Sequence, residues 1–271
     1  MLKIRPFIPA DCDLLFDWRN DPKIRARSFD SRPLDPGAHR IWFDGFLGDA
    51  SRIGFILEDE DRSVAQIRFD STSVPGRLRI SISTAPGVQG KGYGCELLAR
   101  ACERQEVAAR GVLLAAETFL DNQPSIKIFE RCHFVSLGER KRGDNKFIEW
   151  RRAAGPAFSQ TRIFLSGEIE GNLLRETAVM LERLGFSVSF VEGSESKSVT
   201  SSKTSDFTIN CIVPFVPNKS ENVLSVFENS KSDNAVRVIL TPEMAAESVS
   251  RMVEFLLDRL AEYQFFKAHS S

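Results

Sequence analysis

The sequence predicts an α/β protein built as a mixed-sheet domain followed by a smaller, mostly parallel α/β domain. Three observations carry this. Alternating strand patterns come first in close succession, as antiparallel strands do, and then alternate with helical patterns. The stretch AAGPAFSQ, residues 153–160, interrupts that rhythm as a linker would. Beyond it a strand–helix alternation restarts, which argues for a small parallel layer. The expected division is a first domain over 1–153, a linker over 154–160 and a second domain over 161–271. The 271 residues are 42% hydrophobic and 27% charged, a soluble balance with enough apolar mass for a core.

In chain order, LKIRPF reads as a first strand. PADCDLLFDWRNDPKIRARS reads as a helix with Leu14, Leu15 and Trp18 on one face, interrupted at Asp21–Pro22. PGAHRIWFDGFL is a second helix bearing His39, Trp42, Phe43 and Phe46. RIGFILED and SVAQIRFD are strands joined by the acidic turn EDED. RLRISIST is a further strand, with Leu78, Ile80 and Ile82 facing inward and Arg79, Ser81 and Ser83 on the other face. A glycine-rich turn leads into the helix CELLARACERQEVAAR, then the strand VLLAAETFL. The next helix opens at DNQPSIKIFERCHF, with Asn122 as its cap and Pro124 in its first turn. KFIEWRR closes the first domain as a strand. In the second, RIFLS, SVSFVE, DFTINCIVPFV and AVRVILT are strands. Helices are expected at EGNLLRETAVMLERLG, at SENVLSVFENS and from Pro242 to about Phe266, and a loop at GSESKSVTSSKTS.

Composition excludes several classes. A net charge of -1 gives no electrostatic footprint for nucleic acid or an anionic membrane. Cys12, Cys95, Cys102, Cys132 and Cys211 form no CxxC pair, and the three histidines are scattered, so no metal site is expected. Dispersed cysteines fit reduced thiols in a cytosol. The first residues have no signal-peptide pattern, and no apolar run has the length to span a bilayer. A cytoplasmic protein is expected.

The chemistry concentrates at QGKGYG, Gln89 to Gly94. Glycine has no Cβ, so a ligand oxygen can reach main-chain N–H groups directly. The helix that begins there adds unpaired N–H donors and a partial positive charge. The turn is therefore an anion cradle. It lacks the GK[ST] ending of a Walker A loop and does not match GxGxxG.

Gln89, Gly92 and Gly94 match Q/R-x-x-G-x-G/A, and between a strand and a helix this resembles the Gcn5-related N-acetyltransferases (GNAT). Asn122, Ser125, Phe129 and Phe134 resemble the family's N-x-x-A/S-x-x-x-Y-x-x-x-G-F segment. The resemblance covers about residues 2–152. It implies a GNAT fold, acetyl-CoA as co-substrate and no metal. It also implies coenzyme contacts from Ser83, Thr84, Gln89, Gly90, Lys91, Gly92, Tyr93, Gly94, Asn122 and Phe129.

The N-terminal pattern W-R-N followed by H-x-x-W-F, here Trp18–Asn20 and His39–Phe43, is similar to enzymes that acetylate UDP-linked 4-amino-4,6-dideoxy sugars on the route to pseudaminic-acid-like sugars. That resemblance implies a small-molecule amine, a nucleotide-linked amino sugar, as acceptor. Arg19, Asn20, Arg25 and Trp42 are then candidate substrate ligands. Each has a plainer alternative: core packing for the aromatic residue, a helix cap or ion pair for Arg19 and Asn20, and a solvated charge for Arg25.

The expected reaction is attack of a neutral amine on the thioester, with the oxyanion met by a main-chain N–H near Ser83 and Thr84, where two parallel strands part. Arg79 stands where an acid is expected in relatives, so Glu117 and His39 are the candidate bases. The family's tyrosine is replaced by Phe129, and its glycine by His133, leaving water or Ser125 to protonate the thiolate. Two alternatives remain: acetylation of a protein N-terminus or small amine, and a catalytically weak acyl-CoA-binding scaffold. In the second domain, RIFLSG, a helix and LGFSVSF resemble Rossmann-like nucleotide-processing domains. Its plain role is an accessory or dimer-forming module, which implies a homodimer; the sharper one is a nucleotide-sugar-binding helper.

Overall fold

A computed structural model of the chain describes residues 1–104, 107, 113–154, 162–166, 173–184, 186–191, 208–212, 235–239, 253–254, 256–258 and 260–261. The first domain runs β1 (Leu2–Pro6), α1 (Cys12–Asn20), α2 (Pro22–Arg25), α3 (Pro36–Gly48), β2 (Ile53–Asp59), β3 (Arg62–Ser71), β4 (Arg77–Thr84), α4 (Tyr93–Glu103), β5 (Leu113–Phe119), α5 (Gln123–Arg131), β6 (Val135–Arg142) and β7 (Asn145–Ala153). Helix starts follow local chemistry. Asp21 accepts from the N–H groups of Lys23 and Ile24, with Pro22 in the first turn, so α1 stops and α2 begins there. Asp35 caps α3 through the Ala38 N–H at 2.8 Å, again just before a proline.

The strands form one seven-stranded sheet in the order β1-β2-β3-β4-β5-β7-β6. Every neighbouring pair is antiparallel except β4 and β5. Leu78 and Ile80 are buried and Ile82 is half-buried against the same core, the alternation expected for β4. That core lies between one sheet face and helices α4 and α5, and includes Phe55, Ile67, Leu97, Leu98 and Trp150. A second cluster of Phe7, Leu15, Trp18, Phe43, Phe46 and Ile56 seats α1 and α3 on the opposite face, at the β2 side.

One strand is absent from the sequence reading. β6 spans VSLGERKR, a segment given no element there. It is an edge strand, bulged between Ser136 and Glu139, with Gly138 at φ 92°. Its second half is charged and more exposed, so it lacks the apolar alternation that marks a half-buried strand.

Later in the chain β8 (Arg162–Ser166) pairs in parallel with β9 (Ser187–Val191), and α6 (Leu173–Arg183) lies between them in sequence. β10 (Thr208–Ile212) pairs in parallel with β11 (Ala235–Ile239). These elements fall where the alternation placed strands and a helix. The linker residues 155–160, the Ser/Lys-rich loop and the helix expected over 220–230 lie outside the described residues. Ala154, assigned to the linker, is 6% exposed and belongs to the first core.

Helical residues 253–254, 256–258 and 260–261 bury Val253, Leu256, Leu257, Leu260 and Ala261. From the same segment Asp258 meets Arg77 at 2.8 Å, and Glu254 meets Arg140 at 3.3 Å and Arg151 at 3.4 Å.

Candidate active site

β4 and β5 are paired only from Arg77↔Leu113 to Arg79↔Ala115. Beyond those three pairs they part, leaving the β5-facing edge of Ile80–Thr84 unpaired. The register decides which groups face the gap. The Leu113 N–H donates to the Gly76 carbonyl at 2.8 Å and the Ala85 N–H to the Val64 carbonyl at 2.9 Å. Strand alternation then turns the N–H groups of Ile82 and Thr84 toward the gap and that of Ser83 toward β3. Of the two residues read as oxyanion donors, Thr84 is the one so oriented. The Ser83 hydroxyl accepts from Gln66 at 3.0 Å.

The glycine turn follows directly. Gly87, Gly90 and Gly92 have φ of 82°, 81° and 87°, and a Cβ added to any of them meets no atom within 4 Å. The turn is therefore open on this side, leaving bare main chain that side chains would cover. Gly92 is the N-cap of α4 and supplies no capping side chain, so the first N–H groups of that helix face the same space. Gln89 shapes the turn by accepting from the Gly87 N–H at 3.0 Å. Gln89, Gly90 and Lys91 are exposed beside it. At Gly94 an added Cβ would lie 3.0 Å from Ile128 Cδ1, so this glycine lets α4 approach α5. The Tyr93 hydroxyl donates to Asp59 at 2.7 Å, across to the end of β2 and away from the gap. That bond holds the proton and raises the Tyr93 pKa.

Asn122 is the N-cap of α5 and accepts from the Ser125 N–H at 3.4 Å, which brings Ser125 to the first turn of that helix. Phe129 is buried. Its ring meets Phe134 edge-on at 5.0 Å and stacks on Trp150 at 5.9 Å, so it is turned into the core.

The residues read as acceptor ligands serve first to shape the segment between α2 and α3. Arg19 donates to the Asp30 carbonyl, and burial lowers its pKa. Arg25 donates to the carbonyls of Asn20 at 3.1 Å and Ser31 at 3.3 Å. The Asn20 side chain accepts from the Leu34 N–H at 2.8 Å. Trp42 lies under the Arg68 guanidinium, 4.9 Å from the ring centre. His39 is buried among Phe16, Trp42 and Phe43. Its Nε2 lies 3.0 Å from the Cys12 carbonyl, which only accepts, so Nε2 carries the hydrogen. Burial lowers the His39 pKa and keeps the ring neutral.

Across β3, β4, β5, β7 and β6 the register gathers charged residues from distant parts of the chain onto one sheet face. Arg68 lies opposite Ser81, Asp70 opposite Arg79, Arg79 opposite Ala115 and Glu117 opposite Glu149; Arg140 and Arg142 continue the face on β6. Glu117 accepts two hydrogen bonds from Arg142, at 3.1 and 2.6 Å. Arg142 also sits 4.9 Å from the ring centre of Phe29 and 5.0 Å from that of Phe147. Phe29 comes from the α2–α3 segment, which closes over the ends of β5 and β7. There Phe29 meets Phe119 at 4.7 Å, and Arg27 pairs with Asp121 at 2.6 Å. Arg79 is exposed and forms no ion pair among the described residues.

Arg142, Phe29 and Arg68 were not singled out in the sequence. For Arg142 a signal was present: Gly143–Asp144 is a two-residue hairpin turn between β6 and β7. Among the described residues no group of three or more His, Cys, Asp or Glu side chains is placed to hold a metal ion, and no helix is long and apolar enough to cross a membrane.

Residues 1–135 match the family model described as acetyltransferase (GNAT) domain. The chain is 23% identical over 146 residues to acetyltransferase PseH of Campylobacter jejuni, which covers 52% of this chain and 89% of that protein. Among solved structures, an N-acetyltransferase from Staphylococcus aureus superposes with a TM-score of 0.50 at 20% identity, over 56% of this chain and 98% of the other. A putative acetyltransferase, yncA of Salmonella typhimurium, solved with acetyl-CoA, gives 0.49 at 20% identity, over 56% of this chain and 94% of the other. The Staphylococcus aureus likeness shows the shared fold.

Proposed function

Because residues 1–135 are an acetyltransferase domain of the GNAT type, we propose that this enzyme moves an acetyl group from acetyl-CoA to the amino group of a nucleotide-linked amino sugar. The observation that carries the donor half is the parting of β4 and β5 directly before an uncapped glycine turn. The main-chain N–H groups of Gly90, Lys91, Gly92 and Tyr93 and the first turn of α4 hold the diphosphate, aided by the helix dipole. Bound acetyl-CoA supplies the thioester. The Thr84 N–H meets the oxygen that becomes negative in the transition state. Ser125, at the first turn of α5, and water are the available proton donors for the thiolate, since Phe129 has no proton to give.

The acceptor half is supported by two features. The W-R-N and H-x-x-W-F pattern resembles the nucleotide-linked 4-amino-sugar enzymes, in keeping with the likeness to PseH. Arg68, Arg79 and Arg142 line the sheet face beside the gap, against Asp70 and Glu117. That face suits an anionic acceptor better than a polyamine. The scaffold reading draws on Phe129, buried where the resembled family carries tyrosine, and on Arg79, which stands where an acid is expected.

The test is a panel of UDP-linked amino sugars, polyamines and peptides with acetyl-CoA, read as free thiol released. The UDP-linked amine should turn over with the highest kcat/KM. A polyamine or peptide ahead of it would reassign the acceptor, and tight coenzyme binding without turnover on any amine would favour the scaffold.

A further inference from the structure

Glu117 is the carboxylate nearest the gap on β5, yet both of its oxygens accept from Arg142. A carboxylate held this way has both oxygens already occupied by N–H donors, so it offers no oxygen to a second partner in the same geometry. The other charges on this face do not compete for it. Glu149, opposite Glu117 in the ladder, is engaged with Arg140 at 3.2 Å and Arg151 at 2.6 Å. Arg79 lies two ladder positions away on the β4 side, and Arg27 is paired with Asp121.

Arg142 does not depend on Glu117 for its place. Its guanidinium also lies against an edge-to-face pair of rings, 4.9 Å from the centre of Phe29 and 5.0 Å from that of Phe147, and its side chain is 56% exposed. An ion pair this open to water is weak enough to exchange partners. A planar guanidinium matches a phosphate as well as a carboxylate.

We propose that Arg142 is a ligand for the acceptor's diphosphate, and that its transfer from Glu117 to that anion frees Glu117 to act as the base. This rests on the nucleotide-linked acceptor proposed above. When the acceptor enters, its phosphate oxygens take the Arg142 donors while the guanidinium stays against the two rings. Glu117 then accepts one proton from the acceptor's ammonium group and passes it to water. The neutral nitrogen attacks the acetyl carbon, the C–N bond forms and the C–S bond breaks. The departing thiolate takes a proton from Ser125 or water, and the nitrogen's second proton replaces it. The products are the N-acetyl sugar, coenzyme A as a thiol and one proton in solution. The coupling is also a specificity device: an amine without an anion leaves Arg142 on Glu117 and the base occupied.

The test is calorimetric titration of UDP into the protein saturated with coenzyme A, which blocks the glycine turn. Arg142→Gln should weaken UDP binding by about tenfold or more, with Arg142→Lys recovering part of the loss. Glu117→Gln should tighten UDP binding several-fold, because it removes the competitor for Arg142. If the pair were only a structural staple, both variants would loosen binding alike. Where turnover is measurable, Arg142→Gln should also lower the ratio of kcat/KM for the UDP-linked amine to that for an anion-free amine by about tenfold. UDP affinity unchanged in Arg142→Gln, or weakened in Glu117→Gln, overturns the exchange even if the UDP-linked amine is acetylated. A panel without nucleotide-linked product overturns the acceptor assignment instead, because the titration does not depend on turnover.

Discussion

His39 shows how one residue's neighbours select among its chemistries. In the sequence it stood beside Trp42 and was as good a candidate base as Glu117. In the fold its Nε2–H is committed to the Cys12 carbonyl, and aromatic rings enclose it. Burial lowers its pKa most; the Cys12 bond opposes that and the charge of Arg68 adds to it. The unfolded chain therefore binds a proton below about pH 6.5 that the folded chain resists, and stability falls on acidification through that point. Urea titrations at pH 7.5 and 5.5 should show a His39-dependent loss below about 1 kcal/mol. His39→Gln, less stable at pH 7.5, should show a shallower decline. An equal decline in both would assign the acid sensitivity to other groups. Cys132 responds to the same burial in the opposite sense: its thiol is pushed up to about 12. Neither shift was legible in the sequence, because both arise from elements that close over the residue.

The turn and helix around Gly92 were legible, because their determinants are neighbours in the chain. Glycines at 87, 90 and 92 adopt the positive φ that other residues resist. A helix begins at once, without a side-chain cap. Gly92→Val should lower coenzyme affinity by more than tenfold, since its side chain enters the space the diphosphate needs (about 1.4 kcal/mol per tenfold). It also strains the backbone, costing about 1–2 kcal/mol. Gly76→Ala, with φ of 73° at the turn before β4, carries the strain without the intrusion and should keep coenzyme affinity. Equal affinity loss in both variants would point to strain instead of the cradle. β6 was not legible for the converse reason. Lys141 and Arg142 form a strand because β7 offers a ladder partner, while their own side chains carry no apolar period. Arg142 was missed as a functional residue because its strand was missed.

At the scale of the molecule, the C-terminal segment completes the first domain electrostatically. Arg151 is 2% exposed, and Glu254 and Glu149 are its carboxylate partners among the described residues. Arg77, at the start of the short parallel ladder, is held by both oxygens of Asp258. Removing one partner of a buried charge costs more than the pair itself contributes. Glu254→Ala should therefore destabilise the protein by about 1–3 kcal/mol in urea, the remaining Glu149 limiting the loss. A change within about 0.5 kcal/mol would show that the helix contributes little to the arginines.

What the sequence determined by itself was every feature whose cause lies within a few residues: the strand alternation of β4, the caps at Asp21, Asp35 and Asn122, and the glycine cradle before α4. Only the tertiary structure decided which charges meet. Arg27 and Asp121 are 94 positions apart, and Glu117 and Arg142 are 25. A ladder register brings Glu117 and Arg142 together, and the α2–α3 segment closing over the end of β5 brings Arg27 to Asp121; both follow from how distant elements pack, not from the segments themselves.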